Sequence, residues 1–105
     1  MKIKVSNIEM HRLYEALDKW QYNPKFSSRH NELLQEHRWE LMLKAAGLLR
    51  KQQGSYRVEL SSLQALAFMQ IFDMHLMPID ATHYTVLEII GLIDKESKEP
   101  KTIPV

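Results

Sequence analysis

Two segments of this 105-residue chain share one plan, and that plan limits the fold more than any other feature. Lys2-Ile3-Lys4-Val5 alternates polar and apolar residues, and so does Tyr56-Arg57-Val58-Glu59-Leu60. A period of two turns one face of an extended segment to a core and leaves the other wet, which is the pattern of a half-buried strand. Each segment runs straight into a capping box. Ser6-Asn7-Ile8-Glu9 and Ser61-Ser62-Leu63-Gln64 both set a serine three residues ahead of a Glu or Gln, so that two free N–H groups at a helix start find side-chain acceptors. A lone strand leaves its own backbone groups without partners. Residues 2–5 are therefore expected to pair antiparallel with 56–60, in a two-stranded ribbon covered by helices.

Four helices are expected. The first runs from about Asn7 to about Tyr22, with Met10, Leu13, Tyr14, Leu17 and Trp20 at helical spacing, and ends before Asn23-Pro24. Val5 and Met10 flank its cap at the spacing of a hydrophobic staple. Ser27 or Ser28 caps the second, which continues to about Gln53 and stops at Gly54. Its stripe is Leu34, Leu41, Ala45, Leu48 and Leu49, with His37 in the gap. The third, about Ser62 to Leu76, is apolar nearly all round and reads as the buried centre of the domain, broken by Pro78. Asp80 caps the fourth, with Ile79 and Tyr84 at staple spacing and Val86, Leu87, Ile89, Ile90 and Ile93 along it.

The fold class is thus mainly α with minor β: two strand-helix-helix units and one ribbon. Sliding the chain by 55 sets Ile3, Val5, Ser6, Glu9 and Leu13 over Val58, Leu60, Ser61, Gln64 and Phe68. An offset of 44 sets Leu43, Gly47 and Leu48 over Leu87, Gly91 and Leu92. Duplication and chance likeness of two amphipathic halves both account for that pattern. We read residues 1–95 as a single domain with a pseudo-repeat of 1–54 and 55–95, and 96–105 as a charged tail with Pro100 and Pro104.

No chemistry-bearing motif stands out, so no catalytic, cofactor-binding or metal-ligating residue is assigned. The absence of cysteine removes disulfides, thiolate metal sites and thiol nucleophiles. His11, His30, His37, His75 and His83 lack the spacing of helical metal ligands. Gly-x-Ser-x-Gly is absent, Ser6 and Ser61 are occupied as caps, and three glycines build no phosphate loop. Glu32, Glu36 and Glu40 lie a turn apart, as on a solvated helix face. No secretory signal opens the chain. Its most apolar stretch, Leu63 to Ile79, is too short and too interrupted for a membrane span. The expectation is a cytoplasmic, non-enzymatic protein, or a virion component if its source is a phage.

Partners must then be macromolecules. Trp20, beside Tyr22 and Phe26, and Trp39, among Glu36, His37, Arg38 and Glu40, are candidate interface residues together with Arg38. The alternative for Trp39 is packing under the 20–28 loop. Net charge is only +1, but residues 1–54 carry +4 and residues 55–105 carry −3, which favours head-to-tail self-association or a charged partner. Small size and the lack of motifs fit a structural or adaptor component of a larger assembly, of phage or mobile-element origin.

A second reading comes from topology. Strand-helix-helix units joined through an antiparallel ribbon resemble ribbon-helix-helix DNA-binding proteins, with one chain here supplying both units. The resemblance covers most of the chain and rests on topology and capping. It implies that outward ribbon side chains enter the major groove. Those would be Lys2, Lys4 and Arg57, with Ile3, Val5, Val58 and Leu60 turned inward. Glu59 on the same outward face, the near-zero net charge and the long second helix depart from that family's pattern.

Overall fold

Strand β1, Lys2–Ser6, lies antiparallel to β2, Ser55–Glu59, in the register Lys2 to Glu59, Ile3 to Val58, Lys4 to Arg57 and Val5 to Tyr56. The computed structural model describes residues 1–72, 77 and 79–98. The Leu60 amide donates to the Met1 carbonyl at 2.8 Å and lengthens the ribbon by one pair. Side chains divide as the alternation requires. Ile3, Val5, Tyr56, Val58 and Leu60 are buried, while Lys2, Lys4, Arg57 and Glu59 are exposed.

Helix α1 spans Asn7–Asp18, α2 Ser28–Leu49, α3 Ser62–Ile71 and α4 Ala81–Lys98. Both capping boxes are closed. The Glu9 amide donates to Ser6 Oγ at 3.1 Å and the Ser6 amide to Glu9 Oε1 at 2.9 Å; Ser61 and Gln64 repeat the pair at 3.0 and 3.0 Å. Ser27, not Ser28, caps α2 through the His30 amide, and Asp80 takes the His83 amide ahead of α4. Val5 and Met10 are both buried, as a staple requires. Ile79 and Tyr84 are 77% and 61% exposed, so no staple is buried at α4.

Helix ends differ from the sequence expectation, and the causes are tertiary. α1 stops at Asp18 rather than Tyr22, because Arg38 of α2 donates from Nη1 to the Leu17 carbonyl at 2.6 Å and takes over a group that a further turn would use. Residues 19–27 then follow a turn that Asn31 holds from inside α2. Its Oδ1 accepts the Asn23 amide, and its Nδ2 donates to the carbonyls of Asn23, Phe26 and Ser27. α2 stops at Leu49, short of Gln53, and Gly54 is not a left-handed stop: no described glycine has positive φ. Instead Tyr56 Oη donates to the Lys51 carbonyl, and the Asn7 amide to that of Gly54, which binds the α2–β2 connection to the ribbon. α4 continues to Lys98, three residues into the expected tail. α3 stops at Ile71, short of the expected Leu76, because Phe72 turns to extended backbone. The placements of His75, of Pro78 and of the remaining tail lie outside the described residues.

α1 and α4 lie against the ribbon. α1 lies against α2 and α4, and α2 also lies against α3. Met10, Leu17, Phe68, Val86 and Ile89 are the largest fully buried side chains along with Val5, and full burial of one such group contributes about 1.5–3 kcal/mol. α3 departs most from expectation. It is not the buried centre: Ala65, Ala67, Phe68 and Ile71 face the core, but Leu63, Leu66 and Met69 face water.

Candidate functional site

α3 is an outer helix whose polar face is missing. Between Ser62 and Ile71 it carries no charged residue, so the positions that elsewhere hold solvated side chains hold leucine and methionine. Leu63 and Leu66 are 58% and 56% exposed, and Leu33 of α2 is 55% exposed. These three, with Leu34 and Ala67, line a groove of about 360 Å³ between α2 and α3. Apolar side chains grouped along one groove in this way make it a candidate contact site.

The polar groups around the groove come from α2 and from Gln70. His30 Nε2 lies 2.8 Å from Gln70 Oε1, and its ring stacks on Phe26 at 4.3 Å, so it is held upright at one end. His37 is half-buried; its Nδ1 makes no hydrogen bond and sits 3.6 Å from Glu40 Oε2. Arg29 and Ser27 complete the rim, and no carboxylate lines the groove among the described residues. Lys44 of α2 reaches over to α3, donating to the Glu59 carbonyl and to Gln64 Oε1, which fixes the two helices at the far end.

The sequence-derived interface residues separate into two groups. Trp20 and Arg38 come together: the guanidinium lies over the indole, 5.6 Å from its centroid, and Tyr22 tilts against the same ring at 5.4 Å. Arg38 is spent internally, with Nε on Gln35 Oε1 and Nη1 on the Leu17 carbonyl. Trp39 does not pack under the 20–28 loop. It is 56% exposed on the outward side of α2, one turn from Leu43 at 59%. A second hollow, of about 560 Å³, is lined in part by Trp20, Tyr22, Ile71 and Phe72.

On the ribbon, Lys2, Lys4 and Arg57 all stand on the outward face, with Lys4 directly across from Arg57 and Lys2 across from Glu59. Away from both surfaces, Glu9 of α1 meets Glu88 of α4. Their hydrogen bond holds Glu9 below the ordinary carboxylate value, aided by the Ser6 amide, and lifts Glu88 above it. Among the described residues no three His, Asp or Glu side chains converge in a set that could hold a metal ion. No described helix is long and apolar enough to cross a membrane.

Leu33, Leu63 and Leu66 were not singled out by the sequence. One signal was present: the 55-residue offset sets Leu66 over His11, an exposed polar residue of α1. Comparison of the chain with protein-family models, curated proteins and solved structures gives no match.

Proposed function

We propose that this chain acts by binding protein, as a structural or adaptor component of a larger assembly, and not by catalysis. The observation that carries the reading is the charge-free outer face of α3, which keeps Leu63 and Leu66 more than half exposed beside Leu33. Leaving three leucines in water forgoes burial free energy of about 25 cal/mol per Å², which a partner recovers. Such a component works in the cytoplasm, or in a virion if the source is a phage.

Site-specific photocrosslinking in the source cells tests this. A photoreactive side chain in place of Leu66 is expected to give discrete protein adducts, and one in place of the exposed His11 of α1 is not. Equal labelling from both positions, or none from position 66, refutes the reading.

One observation favours a second reading, recognition of duplex DNA by the ribbon. Lys2, Lys4 and Arg57 project together from its solvent face, where phosphate and base edges could be reached. Its test is a gel shift with a salt titration, comparing wild type with a Lys2, Lys4, Arg57→Ala triple variant. Tight, salt-steep binding that the triple variant loses would replace the protein-binding reading. Weak binding, equal in both, rules the ribbon out.

A further inference from the structure

We propose that the α2–α3 groove is filled by the Trp39 face of a second copy of this chain. The inference rests on the protein-binding reading above and names the partner. The groove has walls of Leu33, Leu63 and Leu66, a rim of Arg29, His30 and His37, and no carboxylate among its described lining, so Arg29 is the fixed charge at its edge. α3 adds no charge of its own. The complementary surface is an apolar knob bordered by acids.

α2 carries such a knob on its other side. Trp39 and Leu43 stand one turn apart, 56% and 59% exposed, with Glu32 and Glu36 exposed beside them, while Glu40 lies 3.6 Å from His37 of the rim. Tryptophan is among the residues most enriched at the energetic centres of interfaces, where its large ring fills a pocket on the partner. Carboxylates bordering it would meet Arg29 on the rim, where opposite charge sets register and speeds encounter. At 3.6 residues per turn, the six residues between Leu33 and Trp39 turn them about 120° apart around the helix. One copy therefore cannot bring its own Trp39 to its own groove, whereas two copies can. Every copy holds both halves of the contact, so the pairing is either reciprocal in a closed dimer or repeated head to tail.

The experiment measures solution mass by light scattering and sedimentation from about a micromolar to about a millimolar, the range of modest interface affinities. Wild type, Trp39→Glu, Leu66→Glu and an equimolar mixture of the two variants are compared. Both substitutions fall at exposed positions, and thermal melts check that the fold is kept. If either glutamate lowers the melting temperature, Trp39→Ala or Leu66→Ser takes its place. Wild type is expected to rise above its 12.4 kDa monomer mass with concentration. Each variant alone is expected to associate at least about 30-fold more weakly, the effect of losing one central contact. The mixture is expected to regain a two-chain species, because one variant keeps an intact groove and the other an intact Trp39 face. Wild type that stays monomeric throughout, a Trp39→Glu chain that associates like wild type, or a mixture that stays monomeric overturns the inference. Adducts from position 66 to a different protein would keep the protein-binding reading while self-association fails, so the two failures are distinguishable.

Discussion

Arg38→Ala separates a residue that holds the fold from one that holds a partner. In the folded chain Arg38 Nη1 donates to the Leu17 carbonyl at 2.6 Å, Nε donates to Gln35 Oε1 at 3.1 Å, and the guanidinium covers Trp20. The Leu17 carbonyl belongs to the last turn of α1, where the Trp20 amide reaches it only at 3.4 Å, and Leu17 itself is fully buried. A hydrogen bond from a charged donor is worth about 1.5–3 kcal/mol. The cation over the indole adds about 0.5–1 kcal/mol at a half-exposed site. Truncation to alanine is therefore expected to cost about 2–4 kcal/mol. For a domain of this size that lowers the melting temperature by roughly 10–20 °C. Urea titration followed by circular dichroism measures the loss, and Trp20 fluorescence reports the uncovered ring. Arg38→Lys should lie between the two, since an ammonium keeps the charge without the planar fork. A loss below about 0.5 kcal/mol, the level of an ordinary surface substitution, would refute the assignment of Arg38 to the end of α1.

Three further outcomes follow from the same structure. Ser6→Ala and Ser61→Ala should each cost about 0.5–2 kcal/mol in chemical denaturation, because each opens a closed capping box. Gly47→Ala and Gly91→Ala lie inside α2 and α4 with nothing within 4 Å of an added Cβ, so each should raise stability by about 0.5–1 kcal/mol; a lowered melting point would mean that these backbones need the glycine. Glu88 has its folded pKa raised by Glu9, so ionising it works against folding as pH climbs through that raised value, while the lowered Glu9 acts in the opposite sense. Glu88→Gln should accordingly be more stable than wild type at neutral pH, with the advantage shrinking as pH falls past the ordinary carboxylate range; a constant difference from neutral to acid pH would show that the two carboxyls do not interact.

What the sequence disclosed was local. Alternation at 2–5 and 56–60 and the two serine boxes depend on neighbours within four residues, and they place the ribbon, its inward face and two helix starts. Helix ends were hidden because their determinants sit far off in sequence. Arg38 closes α1 from 21 residues away, and Asn31, a polar residue only 3% exposed, brackets a turn that its own position in α2 does not announce. The role of α3 was hidden for a different reason. Its composition states that both sides of the helix are apolar, and an apolar side is satisfied equally by the chain's own core or by another chain. Only the placement of α3 on the outside, flanking α2, decides between them. Lys2, Lys4 and Arg57 were assigned to the right face because a period of two leaves no freedom once Ile3 and Val58 are inside.

The central claim is that the α2–α3 face, and not the ribbon, is the binding surface. Nuclear magnetic resonance on leucine-methyl-labelled and amide-labelled chain reads both surfaces in one sample. As the chain is concentrated, the methyls of Leu33, Leu63 and Leu66 should shift while the amides of Lys2, Lys4 and Arg57 hold still, and duplex DNA added at moderate salt should move neither set. Ribbon amides that respond to duplex, over leucine methyls that never respond to concentration, would contradict it.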